Sequence, residues 1–405
     1  MSLALVITIL TAAVALTVYL LKKGVNLGVV MVMDSAFVVL LSGIALTDGL
    51  RFAVNGAISD KTFKLVVMIY FIMILENIMR TTGMIQTMVE TLKQLVGNNR
   101  MAAALLPLTI GLLPSPAGAR FSCPMVDDVV KENSDSKNKA FVNYWFRHIW
   151  ADGFLLYPGI ILAAELLEVA VISLFIRLLP FMLLRIVLGA LFGLRHIKNE
   201  RIGHTRSRRE NLKLFTLSVF PAFGVIVLYI LLLNLTSYGL EISLLFMVCF
   251  LFIYKKYNLK KIVEAMKKSF PVKFIIIIFG VMIFKSVLEG SKVLDIIPGL
   301  MESANIPVEA LYITLSYLGG FASGIAVSFV SIAFPVLIPL GLGANMWHVT
   351  FAFCAGFAGV MTTPLHLCAV ATSDYFKVPL GKLLAKSILA ESIFIAVIIF
   401  MFLIV

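Results

Sequence analysis

Charge is scarce in this chain. Asp, Glu, Lys and Arg make up 14% of its 405 residues, against roughly 25% in a soluble domain. No hydrophilic stretch is long enough to fold by itself, and the longest runs only from His196 to Lys213. Cysteine is sparse too: Cys123, Cys249, Cys354 and Cys368 lie in or beside apolar segments without metal-ligand spacing, and read as small buried hydrophobes. There is no phosphate-binding Walker sequence, which excludes ATP as a drive, and no His-Glu-x-x-His metal motif. Beyond scattered serines no nucleophile sits near a base, so neither an enzyme nor a cofactor is expected. Acidic residues are few and the net charge is +12. The basic residues fall in short loops between apolar runs, where they orient a membrane protein rather than bind nucleic acid.

Apolar residues are abundant instead, at 60%, with a mean hydropathy of +1.02. Several runs reach or approach the roughly 20 residues that cross a bilayer. We read five spans in each half: 2–21, 27–47, 63–83, 141–165 and 171–194, then 213–234, 239–255, 273–290, 347–371 and 387–405. The first run has no charged segment ahead of it, since Lys22 and Lys23 follow it, so it reads as a retained span and not a cleaved leader. Between the third and fourth spans of each half lies an apolar but punctuated stretch, 101–129 and 310–340. Pro107, Gly111, Pro114, Pro116, Gly118 and Pro124 break the first; Gly319, Gly320, Gly324, Pro335 and Pro339 break the second. Each is too short for two spans and too interrupted for one, so a re-entrant hairpin is expected, a shape tolerated only where protein or a wet cavity satisfies its backbone.

The halves also match each other. At an offset of 209 Gly111 lies over Gly320, Ala117 over Ala326 and Ser122 over Ser331; after a three-residue slip Gly153 lies over Gly359, Pro158 over Pro364 and Glu168 over Asp374. With residue 1 outside and hairpins returning to their own side, 24 of the 34 Lys and Arg residues fall in inner loops against five in outer ones. The expected fold is therefore an all-α polytopic membrane protein of two inverted five-span repeats, each with a re-entrant hairpin and a broken helix. The first repeat occupies 1–195 with a cytoplasmic-side hairpin, 196–212 is a basic cytoplasmic linker, and 213–405 is the inverted repeat with an outer-side hairpin. Both termini lie outside a cell (inner) membrane. Segments 48–61 and 258–270 join the second and third spans; the latter, with Lys260, Lys261, Lys267 and Lys268, reads as an interfacial amphipathic helix.

The run Gly111-Leu-Leu-Pro-Ser-Pro-Ala-Gly-Ala-Arg-Phe-Ser-Cys-Pro124, with Leu156-Tyr-Pro-Gly159 and Thr362-Thr-Pro-Leu-His-Leu-Cys368, resembles an uncharacterised prokaryotic membrane-protein family of the ion-transporter superfamily. Gluconate permeases, citrate and dicarboxylate carriers and divalent-anion/sodium symporters are its relatives. The resemblance implies inverted repeats, a homodimer and an elevator movement. The tips Pro114–Gly118 and Ser323–Ala326 lack the Asn of the carboxylate carriers' Ser-Asn-Thr pattern.

Two symmetric helix breaks expose helix ends inside the membrane, which suit an anion at their N-termini and a small cation at freed carbonyls. The candidate substrate site is thus Ser115, Pro116, Gly118, Arg120, Ser122, Pro158, Ser323, Gly324, Ser328, Thr362, Thr363, Pro364 and His366. Arg120 either pairs with an anionic substrate or snorkels to the inner face. His366 is either a substrate donor or a satisfied core histidine. Asp152 and His148, spaced i and i+4 on one helix, are candidates for ion coupling, the alternative being a structural Arg147–Asp152 pair. Asp34, Glu76 and Asn77 are further intramembrane polar groups. Glu76 lies at the repeat position of Lys285, and no direct bridge between them is expected. The function expected is uptake of a small organic anion, a carboxylate or sugar acid, coupled to H+ or Na+. The alternatives are a cation/proton antiporter or a lipid head-group translocase.

Overall fold

The computed structural model describes residues 3–112, 114, 118–130, 134–201, 206–296, 299 and 307–404. Among them the chain is all-helical apart from an isolated bridge between Asn98 and Arg201. The first half runs α1 (Leu3–Lys22), α2 (Leu27–Ser42), α3 (Leu46–Ala57), α4 (Asp60–Thr81), α5 (Met84–Val96), α6 (Asn99–Ile110), α7 (Gly118–Val130), α8 (Ser136–Arg147), α9 (Pro158–Leu167) and α10 (Val171–Phe192). The second runs α11 (Arg208–Leu232), α12 (Gly239–Tyr254), α13 (Leu259–Lys268), α14 (Val272–Ser291), α15 (Val308–Ser323), α16 (Ala326–Leu337), α17 (Met346–Thr362), α18 (Leu367–Phe376) and α19 (Leu380–Ile404).

Element order repeats closely. Asn99 and Val308 open α6 and α15, Pro158 and Leu367 open α9 and α18, Val171 and Leu380 open α10 and α19, and each pair is 209 residues apart. The three-residue slip is not kept. Pro158 opens a helix, whereas Pro364 lies in the break before one. The true counterpart of Glu168 is Lys377: both close a short helix in the left-handed conformation, at φ 59° and 54°. The Glu76–Arg80 bridge of α4 recurs with reversed charges as Lys285–Glu289 of α14, each within its own helix.

Both punctuated stretches break as their Gly and Pro residues require, α6 from α7 and α15 from α16, and the limbs of each pack on one another. The fourth apolar segment of each half breaks too, α8 from α9 and α17 from α18. Among the described residues ten full spans are not found, and five helical runs are long and apolar enough to cross a membrane: 46–81, 171–196, 208–232, 346–376 and 380–404. A sixth arises if α13 and α14, bent by 53°, count as one. The shortfall is one of length. Helices α2 and α12 hold 16 residues each, about 24 Å at 1.5 Å per residue, against a hydrocarbon core of about 30 Å.

Packing crosses between halves. Helices α2 and α3 lie on α14, while α12 and α13 lie on α4. The α2–α14 seam is close because Gly28 and Gly280 face each other; a Cβ on either would strike the opposing backbone. Buried Phe, Leu, Ile and Val side chains of α8, α9, α10, α16 and α17 form the densest part of the core, around the breaks.

Candidate functional site

The second limb of each hairpin packs on the far limb of the other half's broken helix: α7 on α18, and α16 on α9. Local sequence explains the fit. Gly324, at φ +69°, turns the second hairpin, and a Cβ there would touch Leu365 and His366 backbone at 3.0 Å. Gly159 brings α9 against the backbone of Ala326, where a Cβ would meet it at 3.3 Å. At the first hairpin the Arg147 guanidinium occupies the space a Cβ of Gly118 would take, and the Tyr157 hydroxyl donates to the carbonyl of Gly111. Asn143 of α8 ties the seam by donating to Thr372 Oγ1 at 3.1 Å and to Cys123 Sγ at 3.1 Å. Helices α9, α16 and α18 begin without a side-chain cap, so their first N–H groups face this centre unpaired by their own N-cap residues.

Two histidines meet here. Nε2 of His148 lies 3.0 Å from Nε2 of His366. Each ring turns its other nitrogen to a main-chain carbonyl: His148 Nδ1 to Tyr144 O at 2.6 Å, and His366 Nδ1 to Val360 O at 3.2 Å. The sulfur of Cys368 stands within 4.8 Å of both rings' ligand atoms.

A buried ionic triad lies beside them. Arg185 Nε of α10 donates to Asp152 Oδ2 at 2.7 Å, and its Nη1 donates to Glu391 Oε1 of α19. The three side chains are 2%, 0% and 0% exposed. The guanidinium lies 3.8 Å from the centre of the Phe394 ring, a cation–π contact in a dry setting. One oxygen of each acid finds no partner among the described residues. Ionised, the triad would carry a surplus negative charge, which is costly without water.

The expected site residues divide. Gly118, Pro158, Ser323, Gly324 and His366 are at or beside the tip contacts just described. Ser122, Ser328, Thr362 and Thr363 are buried close to them; Ser122 and Thr362 hydroxyls donate back to their own helix carbonyls. Pro364 is exposed. Arg120 is exposed, pointing away from the buried face of Gly118, Ala119 and Ser122. Ser115 and Pro116 lie outside the described residues. His148 and Asp152 do not share a helix: α8 ends at Arg147, and Asp152 sits in a 3-10 turn from Trp150. Gly153 follows this turn, and the two side chains take separate partners. The acid's partner is Arg185, not Arg147 or His148. Asp34 instead accepts from Thr17 at 2.5 Å, Glu76 pairs with Arg80 at 3.4 Å, and Asn77 is buried next to it in the chain. Among the cysteines, Cys249 is exposed and Cys368 half-buried, contrary to the reading of all four as buried filler.

Arg185, Glu391, Arg147, Tyr144 and Cys368 were missed as site members. Arg185 and Glu391 carried a usable signal, each being a charge inside an apolar run. Cys368 carried little: His366 stands two residues before it, but His148 lies far off in sequence. A comparison with curated proteins returns no match. A family profile described as "Protein of unknown function (DUF401)" matches residues 2–405. This chain, an apolar helical multi-pass membrane protein, belongs to the DUF401 family.

Proposed function

We propose that the protein is a secondary active transporter of a small organic anion, a carboxylate or sugar acid, coupled to protons. One observation carries the reading: each hairpin's second limb packs on the broken helix of the opposite half. That reciprocal arrangement, with element order repeating at an offset of 209, supports two inverted repeats whose hairpins are re-entrant and whose tips meet at mid-membrane. Uncapped N-termini of α9, α16 and α18, with the Arg147 guanidinium at Gly118, supply positive potential for an anion. Arg147 takes the role that sequence alone assigns to Arg120. The Asp152–Arg185–Glu391 triad is the proton carrier in this reading: one proton cancels its surplus charge. The titratable neighbours around it are Tyr144, His148 and Cys354. An elevator movement, a homodimeric assembly and termini outside the inner membrane complete the proposal.

The test is uptake into proteoliposomes under an imposed proton gradient, with a panel of labelled carboxylates and sugar acids. Accumulation that Arg147→Gln abolishes and Arg120→Gln spares is expected, with Glu391→Gln making uptake insensitive to the gradient. No accumulation of any anion would sink the reading. Two acids facing one guanidinium favour a second reading, a cation/proton antiporter. Sodium-stimulated proton flux without added anion would select it.

A further inference from the structure

We propose that His148, His366 and Cys368 form a binding site for a soft monovalent metal ion, copper(I), where the two helix breaks meet. The warrant is the way the two rings are held. A carbonyl oxygen only accepts hydrogen bonds, so each Nδ1, aimed at Tyr144 O or Val360 O, carries the ring's proton. Both Nε2 atoms are then bare, and the two nitrogens approach to 3.0 Å. Two lone pairs at that distance repel unless a Lewis acid lies between them. Bonds of about 2.0–2.1 Å, usual for a metal–imidazole contact, bridge this gap to a single ion. Cys368 Sγ, within 4.8 Å of one nitrogen of each ring, reaches a thiolate bond of about 2.3 Å by a local shift.

Cys368 is the second residue of α18, at the positive end of a helix, where a metal-bound thiolate is favoured. Binding exchanges its S–H proton for the metal: the ion enters, one proton leaves, and no electron is transferred. Charge chooses the ion. Two neutral rings and one thiolate sum to minus one, so a monovalent ion leaves the site neutral. A divalent ion would leave a positive charge near the buried Arg147, which low dielectric disfavours. Mixed thiolate and imidazole donors suit copper(I). A route in exists on the half-buried side of Cys368, where Pro364 and Leu365 are exposed and Leu367 is 71% exposed. The two ring ligands come from opposite halves, so the ion would clamp the breaks together.

Purified full-length protein in detergent, reduced and stripped with chelator, is titrated anaerobically with copper(I) against bathocuproine disulfonate. One equivalent held against the chelator, with both nitrogen and sulfur scatterers at the copper absorption edge, is the expected result. Cys368→Ser should remove the sulfur shell and weaken binding at least tenfold, while Cys123→Ser leaves both unchanged. His366→Gln should abolish the equivalent, with an unaltered size-exclusion profile certifying the fold. Failure to hold copper(I) would overturn the proposal and leave a shared proton between the rings. So would binding that survives in Cys368→Ser and His366→Gln, which methionine thioethers elsewhere would explain.

Discussion

Arg185 is the residue on which the buried polar core turns. It is the cation between Asp152 and Glu391, and it stacks on Phe394. Removing one member of a buried ion cluster typically costs about 3–5 kcal/mol, because the partners' charge is left uncompensated. Arg185→Met should therefore lower the unfolding temperature sharply in detergent. The triple change Arg185→Met, Asp152→Leu, Glu391→Leu should recover most of the loss while abolishing proton-driven uptake. A triple variant no more stable than the single one would show that the charges themselves are not what the single change exposes. Glu168 behaves differently. Its bond to Lys61, at 2.5 Å, holds the carboxyl below the ordinary glutamate range. A lowered carboxylate contributes stability above the unfolded pKa, about 4.3, and loses it as pH falls through the folded value. The Glu168 side chain is 64% exposed, so screening keeps the gain below about 1 kcal/mol. Lys61→Gln should lower the melting temperature slightly at pH 7, and the difference should shrink as pH falls below the ordinary glutamate range.

At the scale of elements, strain and close approach can be separated. Glu168 and Lys377 both end a short helix with positive φ, a conformation that costs a residue with a side chain roughly 1–2 kcal/mol relative to glycine. Lys377 is exposed, and no bond of its side chain offsets the strain among the described residues. Lys377→Gly should therefore stabilise the protein by about 1 kcal/mol, read as a rise in thermal midpoint. Glu168→Gly should gain less, since it also gives up Lys61. Gly280→Ala tests the opposite case. The added methyl meets the Gly28 backbone, which cannot rotate away, so a loss of about 1–3 kcal/mol is expected. The breaks themselves were legible because Gly and Pro write helix ends directly into sequence. Helix lengths were not. Hydropathy marks where lipid-compatible residues lie, and α2 and α12 show that an apolar run can be longer than the helix within it. The amphipathic α13 was readable from its charge periodicity; α3 was read only as a connection, and α5 was hidden between two stronger apolar signals.

For the whole molecule, the seam between halves matters more than either half. Helices α7 and α16 find their partners in α18 and α9, and α4 and α14 in the opposite half's α12 and α2. Cutting the chain between Arg201 and Arg206 should leave two pieces that elute together when co-expressed, while either alone aggregates. A first piece that runs alone as a stable, monodisperse species would contradict this dependence. The repeat of element order was visible in part through the identities at the 209 offset, because glycine recurs where the backbone must turn. The centre it builds was visible only in part. His148, Asp152 and His366 stood out as polar groups in apolar surroundings, and Arg185 and Glu391 met the same criterion without being weighed. Their grouping depends on which face each helix turns inward, and periodicity is weak in helices that are apolar all round.

The reciprocal seam also constrains motion. Because α7 is seated against α18 and α16 against α9, a displacement of either hairpin is transmitted to the broken helix of the opposite half. In the proposed transporter, a continuous pore from one bath to the other would require both seams to part at once.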